Sequence, residues 1–395
     1  MPRISPFVGW FFDPARVGPL ERVTTPPYDT ITGPARDRFA AASPYNVVRL
    51  DLAEASAREA AGEEAYRRAG TLLDRWRREG VLVPDDRPSL YAYEMRFLRG
   101  GPARRVRGLI CLVELEPWGR GVIPHERTLP GPVEDRLRLL RATRANLSCV
   151  YGTIPGPNPP LAAFLDRAGA GPPLLELTDE EGVRHRLWPR RADGVEDAEV
   201  SEALGREPLL IADGHHRYAT AVRFRDEMRA ARGAGPWDHV MALVVDASTE
   251  DPPVLPYHRL LARPPVPGRG DRVADLRRLL AGLSDEDLTY GIVAREDGAV
   301  VHRLGRLQGR PPTVCALHEQ VLARVPPDLL GYTQDAVRAE DAVRRGDAAA
   351  AFLLPPTTAA RIREVVDRGE RLPEKSTFFW PKPRTGLVIR MLEPG

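Results

Sequence analysis

The sequence predicts an α+β fold of the mixed α/β kind, and three observations support this prediction. Apolar runs typical of strands occur together with amphipathic segments typical of helices along the 395 residues. Gly100-Gly101 separates two strand-like runs, which indicates an antiparallel hairpin rather than a parallel crossover. The 40 prolines are scattered, and this favours turn-rich structure over a proline-rich linker.

The predicted elements follow one another without an internal repeat or a low-complexity segment. Residues 1–262 are predicted as an N-terminal and central α/β core. Its elements are a buried strand at 46–50, a helix at 54–79, strands at 89–97 and 106–115, a helix at 133–145, strands and turns over 147–192, a helix at 197–204, a strand at 208–212, a helix reaching about residue 231 and a strand at 239–246.

A proline-, glycine- and arginine-rich stretch at 263–275 predicts a boundary, and residues 263–395 are predicted as a smaller C-terminal α/β domain. The predicted elements of this domain are a helix near 271–282, strands near 290–304, a helix at 314–324, a strand at 349–354, a helix at 357–368 and a last strand at 386–392.

Composition limits the classes of function. The 57 basic and 55 acidic residues give a net charge of +2, so a nucleic-acid partner is not expected. No apolar run is long enough to span a membrane and no secretory signal is recognisable, which predicts a cytoplasmic protein without a membrane partner. The three cysteines form no C-x-x-C pair and are predicted to be buried free thiols. The oligomeric state cannot be inferred.

The lysines are unusual because there are only two of them. Lys375 and Lys382 lie seven residues apart, while the other 55 basic residues are arginines. In a chain that otherwise uses arginine for positive charge, this suggests that both positions need a compact ammonium group, which would contact a phosphate or a substrate carboxylate.

The most specific motif is Asp213-Gly214-His215-His216-Arg217, which ends an apolar strand and opens a helix. Gly214 permits a tight turn, and a helix N-terminus offers unpaired N–H groups that suit a phosphate. His215, His216 and Arg217 add donors at the same place, and Asp213 is a candidate ligand of Mg²⁺ and a candidate catalytic residue.

A second motif, Pro124-His125-Glu126-Arg127-Thr128, lies in a polar loop. Glu126 is the candidate general base, His125 a candidate catalytic donor and Arg127 a candidate phosphate ligand. Asp135-Arg136 follows at the start of a helix. A surface cluster of ion pairs is the alternative interpretation of these charges.

The motifs resemble two known groups. Asp213 to Ala221 resembles the phosphate-binding box of the ParB/sulfiredoxin superfamily, and the chain as a whole resembles the domain-of-unknown-function family numbered 1015. The stretches that carry the second resemblance are Pro26-Pro27-Tyr28-Asp29, Ser43 to Val47, Pro124 to Thr128, Asp135-Arg136, Asp213 to Ala221, Leu255 to Arg259, Lys375 to Thr377 and Pro381-Lys382.

The superfamily resemblance implies a ParB/sulfiredoxin-like nucleotide-binding core, in which the Gly214 to Arg217 turn contacts the phosphates. Its members include kinases of free L-serine. By this resemblance the chain is expected to be a nucleotide-dependent phosphotransferase that uses ATP or ADP with Mg²⁺ and acts on a small hydroxyl-bearing metabolite. Sulfiredoxin chemistry is excluded, because His215 stands where those proteins have their catalytic cysteine.

Two other functions remain open from the sequence. One is a ParB-like regulator that binds nucleotide without turnover, in which the arginines of the helix at 133–145 would contact DNA. The other is a metal-dependent hydrolase built on the histidines and carboxylates of the two motifs. Neither the spacing H-E-x-x-H nor a histidine pair four residues apart on one helix is present to support the hydrolase.

Overall fold

The computed structural model describes residues 2–52, 62–99, 101–126, 128–191 and 195–392. Its mixture of helices with mostly antiparallel sheets confirms the predicted α+β class. Long-range contacts divide the chain into two units. Unit 1 comprises Met1–Pro124, Thr128–Asp251 and Pro381–Gly395, and unit 2 comprises His125–Arg127 and Pro252–Trp380.

Unit 1 is built on a nine-stranded mixed sheet. Its strand order is β6-β11-β8-β12-β5-β4-β10-β9, with β1 paired to β5. The strands of unit 1 are β1 (Ile4–Ser5), β2 (Trp10–Phe12), β3 (Leu82–Pro84), β4 (Ser89–Phe97), β5 (Arg104–Glu114), β6 (Val122–Ile123), β7 (Ala145–Asn146), β8 (Val150–Ile154), β9 (Leu175–Thr178), β10 (Arg184–Arg191), β11 (Leu209–Asp213), β12 (His239–Asp246) and β21 (Arg390–Met391).

Helices accompany the sheet of unit 1. They are α1 (Pro14–Val17), α2 (Gly33–Ala42), α3 (Val48–Asp51), α4 (Glu63–Arg78), α5 (Pro130–Thr143), α6 (Pro159–Gly169), α7 (Val195–Leu204), α8 (His215–Arg232) and α9 (Ala247–Glu250), with short 3₁₀ turns at Leu20–Arg22, Tyr28–Thr30 and Pro236–Asp238. Apolar side chains of α6 and α8, such as Phe164 and Tyr218, belong to the same buried cluster as those of the sheet. This burial of apolar surface is the main stabilising contribution to unit 1.

Unit 2 contains a six-stranded antiparallel sheet with the order β15-β17-β16-β19-β14-β18 and a separate pair, β13 with β20. Its strands are β13 (Val254–Pro256), β14 (His258–Leu261), β15 (Asp271–Val273), β16 (Thr289–Glu296), β17 (Ala299–Arg306), β18 (Leu330–Thr333), β19 (Ala350–Leu353) and β20 (Thr377–Phe379). Its helices are α10 (Leu276–Ala281), α11 (Thr313–Gln320), α12 (Ala336–Arg345) and α13 (Ala359–Asp367), with a 3₁₀ turn at Pro327–Leu329.

Several predicted elements need correction. The strand predicted at 46–50 is wrong, because this segment forms helix α3, and the Asn46 side chain accepts a hydrogen bond from Val48 N at 2.9 Å at its start. The stretch 147–192 contains helix α6 in addition to strands. The first residues of the helix predicted at 54–79 lie outside the described residues, and α4 begins at Glu63.

The boundary predicted between residues 262 and 263 stays a prediction about domains, and the contact-defined units divide the chain at other places. Among the helices in the described ranges, none combines the length and the apolar character needed to cross a membrane.

Candidate functional site

The strand–turn–helix predicted around Gly214 is present in unit 1. Strand β11 ends at Asp213, and α8, an 18-residue helix, begins at His215. Gly214 lies between them with φ of 92°, a left-handed conformation that favours glycine. A Cβ at this position would also meet the Arg217 guanidinium at 3.0 Å. The residue type at 214 therefore follows from the backbone and from the space beside it.

A bulge in β11 precedes this turn. Ile211 pairs with Gly152 and Asp213 pairs with Tyr151 of β8, so Ala212 is the extra residue. Bulges of this kind turn the following side chain away from the regular alternation of a strand. This places the Asp213 carboxylate beside the first turn of α8.

Asp213 is held between two cations. Its Oδ1 accepts a hydrogen bond from Lys382 Nζ, and its Oδ2 accepts one from the Arg217 guanidinium. Only 11% of the Asp213 side chain and 7% of the Lys382 side chain are exposed. Burial by itself would raise the pKa of Asp213, but the Lys382 ammonium and the Arg217 guanidinium hold it well below its ordinary value. Asp213 is therefore ionised, and it orients two positive groups.

The two Nη groups of Arg217 donate hydrogen bonds, whereas its Nε donor is unused among the described residues. Its Nη1 donates to Ser148 Oγ at 3.0 Å and to the carbonyl oxygen of Cys149. Its buried Nε has no hydrogen-bond partner within the part of the chain that the structure describes. A buried N–H without an acceptor is costly, and an added acceptor would satisfy it. We call Asp213 to Arg217 together with Lys382 the phosphate turn.

The two histidines of the phosphate turn differ. His215 is buried, and it lies close enough to Asp213 to contribute to the lowering of the Asp213 pKa. His216 Nε2 accepts a hydrogen bond from the backbone N–H of Leu129, the residue before α5, at 3.0 Å. A ring nitrogen that accepts a hydrogen bond carries no hydrogen to donate, so the predicted donor role of His216 is restricted to Nδ1.

The structure adds residues that the sequence did not indicate for this site. The carboxylate of Asp29 lies 3.9 Å from Lys382 Nζ. Arg136 donates to Asp51 and Asp135, and its guanidinium stacks on the ring of Tyr28 at 4.2 Å. The signal for Tyr28 and Asp29 was the Pro-Pro-Tyr-Asp turn, which the family resemblance included without giving it a role.

A small cavity adjoins Arg217 and Arg136. Its volume is about 60 Å³, and its polar lining includes Tyr28, Asp51 and Ser148. Pockets for drug-sized ligands are several times larger, roughly 300 Å³ or more. The cavity is therefore of a size for a few waters or one small group next to the Arg217 guanidinium.

The predicted magnesium site does not fit the residues around Asp213. Both carboxylate oxygens already accept hydrogen bonds from cations, so a Mg²⁺ ion there would meet two positive groups at close range. Across the described ranges, no group of three or more His, Cys, Asp or Glu side chains could hold a metal ion. Neither the Asp213 magnesium site nor the metal-dependent hydrolase is supported by this donor set.

The second motif lies in unit 2, so the structure groups the predicted residues into two sets. His125 is fully buried, and its Nε2 is 2.7 Å from Thr377 Oγ1. Glu126 forms a bridge with Leu372 and accepts a hydrogen bond from the backbone N–H of Lys375 at 2.6 Å. Lys375 has φ of 52°, which a non-glycine residue rarely adopts, and the Glu126 carboxylate stabilises this conformation. Arg127 lies outside the described residues.

Near this loop, unit 2 buries an arginine. Arg259 of β14 is fully buried; its Nε donates to His318 Nε2 at 3.1 Å, and its Nη groups donate to the carbonyl oxygens of Tyr257 and Glu374. Burial lowers the pKa of Arg259 to about 10. Lys375 Nζ lies 5.5 Å from the centre of the Tyr257 ring.

The arginines of α5 do not form the free basic face that a DNA-contacting helix needs. Arg136 is buried in its ion pairs with Asp51 and Asp135. Arg138 pairs with Glu134, and Arg141 pairs with Glu227. Arg144 lies over the ring of Phe224. These contacts do not favour the DNA-associated alternative.

Fold and site together define an α+β protein with a turn of paired cations and carboxylates at the start of a long helix. The chain belongs to the family described as protein of unknown function (DUF1015), whose family model matches residues 4–277. No curated protein matches the chain.

Three solved structures illustrate the weaker likenesses. A free serine kinase in complex with AMP is 15% identical, with a TM-score of 0.38 over 72% of this chain and 91% of that chain. A variant of a free serine kinase in complex with ADP is 14% identical, with a TM-score of 0.39 over 72% and 92%. A conserved hypothetical protein from Pyrococcus furiosus is 15% identical, with a TM-score of 0.36 over 71% and 95%. At this level of identity and TM-score, the likeness assigns neither a substrate nor an activity to this chain.

Proposed function

We propose that the phosphate turn of unit 1 binds the phosphate groups of a nucleotide, and that the protein is a nucleotide-dependent phosphotransferase acting on a small hydroxyl-bearing metabolite. One observation carries the proposal. Two cations, Arg217 and Lys382, both contact the carboxylate of Asp213 at the N-terminus of the 18-residue helix α8.

The donors of this group favour an anion. Asp213 contacts both cations and Asp29 lies 3.9 Å from Lys382 Nζ, so the charges of these side chains balance, and the attraction for a phosphate comes from the donors and from the helix dipole. The N-terminus of α8 adds a partial positive charge and backbone N–H groups, both of which suit a phosphate. Arg217 Nε, buried without an acceptor in the described part of the chain, supplies a further donor.

The arrangement suits phosphoryl transfer because that reaction depends mainly on positioning and on neutralising charge. In the proposed reaction the oxygen of the acceptor hydroxyl attacks the terminal phosphorus of ATP or ADP. The bond from phosphorus to the leaving phosphate oxygen breaks, and a base takes the hydroxyl proton. Arg217 and Lys382 hold the phosphates and offset their negative charge.

The acceptor and the general base are proposed from the sequence motifs and the family resemblance. The resemblance to kinases of free L-serine makes serine the first acceptor to assay, and Glu126 is the proposed base. No step of the proposal goes through a magnesium ion held by Asp213, and an assay with and without added Mg²⁺ measures whether the reaction depends on one.

Titration calorimetry with ADP and with ATP tests the binding step. Arg217→Ala is expected to weaken binding at least tenfold, because a hydrogen bond to a charged group contributes roughly 1.5–3 kcal/mol. Arg223→Ala is the matched control, since Arg223 lies on the same helix and pairs with Glu134 at 3.1 Å on the surface. Equal affinities of the two variants would remove the phosphate turn as the binding site.

A phosphorylation assay tests the reaction itself. The purified protein is incubated with a library of hydroxyl metabolites and each nucleotide, and products are detected by the gain of about 80 Da that one phosphoryl group adds. A labelled product that disappears in Arg217→Ala supports the phosphotransferase. Tight nucleotide binding without any product would instead favour a nucleotide-binding regulator.

A further inference from the structure

A second positively charged feature of unit 1 lies between helices α2, α3 and α4. It is a groove of about 620 Å³, which we call the arginine groove. Six of its eleven lining residues are arginines, compared with 55 of 395 residues in the whole chain. The lining residues are Arg36, Ala40, Arg49, Glu64, Arg67, Arg68, Ala69, Thr71, Leu72, Arg75 and Arg78. None of them belongs to the phosphate turn.

The groove concentrates charge that the chain as a whole does not have. The lining has six arginines and one glutamate, and Asp37 pairs with Arg36 at 2.9 Å just outside it, so the excess among these described residues is four positive charges, while the whole chain has a net charge of +2. The abundance of arginine in this sequence does not explain that excess, because elsewhere arginines are balanced by an almost equal number of acidic residues. A concave surface of one sign attracts ligands of the opposite sign.

Helical geometry creates one wall of the groove. The lining positions of α4 recur at intervals of three and four residues, so they share one face of the helix. They are positions 64, 67, 68, 71, 72, 75 and 78. The opposite face of this helix packs into the core through Tyr66, Leu73 and Trp76. The arginines are thus fixed in a row along a helix that is anchored by its apolar face.

Several of these arginines have no acidic partner that would cancel their charge. Within the described ranges, Arg75 and Arg78 of α4 form no ion pair, although like charges spaced three residues apart destabilise a helix. Arg49 donates to backbone carbonyl oxygens, to Ala40 O at 2.6 Å and to Ser43 O at 3.3 Å, which holds its guanidinium in place without neutralising it. Arg67 pairs with Glu64, the groove's one carboxylate.

We propose that the arginine groove is a binding site for a small polyanion, a flexible ligand that carries several phosphate groups on a non-aromatic skeleton. The volume lies in the usual range for small-molecule pockets, about 300–1,000 Å³. Guanidinium groups match phosphate oxygens in bidentate geometry. The lining offers no aromatic ring on which a base could stack, and this disfavours a nucleotide or a nucleic acid as the occupant.

Titration calorimetry with tripolyphosphate at low and at moderate salt tests the proposal. The double variant Arg75→Gln/Arg78→Gln is compared with Arg232→Gln/Arg345→Gln, which removes the same charge from exposed positions on α8 and α12. We expect the groove variant to bind at least tenfold more weakly than the wild type, and the control variant to bind like the wild type. Added salt should weaken the wild type most, since these charges are solvent-accessible.

The design separates this site from the phosphate turn. Both double variants keep the phosphate turn intact, so any tripolyphosphate bound there contributes equally and cancels in the comparison. Circular dichroism and the melting temperature verify folding, and Arg67→Gln/Arg68→Gln on the same face replaces the first variant if that one does not fold. The proposal is overturned if the wild type does not bind tripolyphosphate, or if groove and control variants bind equally. It is also overturned if a single-stranded RNA binds more tightly through the same arginines.

Discussion

Asp213 in unit 1 and Arg259 in unit 2 are both buried charges, but their surroundings differ. Asp213 contacts two cations, Arg217 and Lys382, and Lys382 also lies 3.9 Å from the carboxylate of Asp29. Arg259 donates hydrogen bonds to an imidazole and two carbonyl oxygens, and among the described residues the Glu126 carboxylate acts on it only from beyond ion-pair distance. The pKa of each group is lowered, by neighbouring cations for Asp213 and by burial for Arg259.

This difference indicates what each place can do. An anion that reaches the phosphate turn gains contacts to cations whose positions are already set by Asp213, so little reorganisation is needed. The donors of Arg259 are committed to holding Tyr257, His318 and the Glu374 carbonyl together. We therefore interpret the phosphate turn as a binding site and the Arg259 cluster as a support for the loop that carries Glu126 and Lys375. The predictions below test this contrast.

The largest expected effect concerns Glu126. If it is the general base, Glu126→Gln lowers kcat by ~10²–10⁴ while nucleotide affinity stays unchanged. The amide oxygen can still accept the Lys375 N–H, so the loop is expected to keep its conformation. Steady-state kinetics on the serine or metabolite acceptor measures this, with Glu374→Gln as a control. Unchanged turnover in Glu126→Gln would mean that unit 2 contributes only structure at this residue.

The next effect is on stability. Asp213→Ala leaves Lys382 and Arg217 buried without their carboxylate, and we expect it to lower the free energy of unfolding by about 3–5 kcal/mol. Arg259→Met removes a charge that burial already disfavours and leaves neutral carbonyl groups behind, so its cost should be smaller, about 1–3 kcal/mol. Urea unfolding of both variants gives the comparison. A larger loss for Arg259→Met would contradict the contrast between the two regions.

The two regions should also respond to acid in different pH ranges. Burial, aided by the Arg259 guanidinium, lowers the pKa values of His258 and His318 from 6.5 to about 4. The unfolded chain therefore binds more protons between these values, and stability falls as the pH drops from 6.5 towards 4. Asp213 also has a lowered pKa, but its ordinary value is about 3.9, so its contribution is lost only below that pH.

Hydrogen exchange of peptides from residues 252–262 and 313–322 measures the histidine effect in unit 2. The variant His258→Asn/His318→Gln keeps a hydrogen-bond acceptor near each nitrogen, for Leu354 N–H and Arg259 Nε, and removes the titrating groups. In this double variant, the protection from hydrogen exchange should decrease less between pH 6.5 and 4 than in the wild type. An equally steep loss in this variant would assign the acid sensitivity to other groups.

The local part of the site could be predicted from the sequence. The strand at 208–212 and the helix that the Asp213 to Arg217 motif opens, predicted to reach about residue 231, are confirmed with small shifts as β11 and α8. The strand at 239–246 is confirmed as β12. These elements are long, apolar or strongly marked by a glycine turn, and such local signals do not depend on the rest of the fold.

Other elements were missed for physical reasons. Helix α2 has no buried residue and hardly any amphipathic pattern, so periodicity gave no signal for it. Helix α6 did have a sequence signal, since Asn158 caps it, prolines begin it and its buried apolar residues recur at helical spacing. The prediction of strands and turns in this stretch overlooked that signal. The partnership of Asp213 with Lys382 joins residues 169 positions apart, and no local pattern reports such a contact. The scarcity of lysine and the family resemblance of Pro381-Lys382 indicated Lys382, but neither identified its partner.

The smallest effects are expected from replacing the two lysines with arginine. The variant in unit 1, Lys382→Arg, should have a larger effect than the variant in unit 2, Lys375→Arg. Lys382→Arg puts a wide planar fork where a compact ammonium contacts Asp213 beside Arg217, and a displacement of about 1 Å costs up to ~10²-fold where geometry supplies the rate. We expect nucleotide affinity to fall about tenfold and turnover to fall with it. Lys375→Arg should change little, because the ring of Tyr257 accommodates a guanidinium as well as an ammonium. Calorimetry and kinetics on the two single variants decide between these outcomes. Full activity in Lys382→Arg would show that position 382 needs only a positive charge, and the case for the phosphate turn would then depend on Arg217 alone.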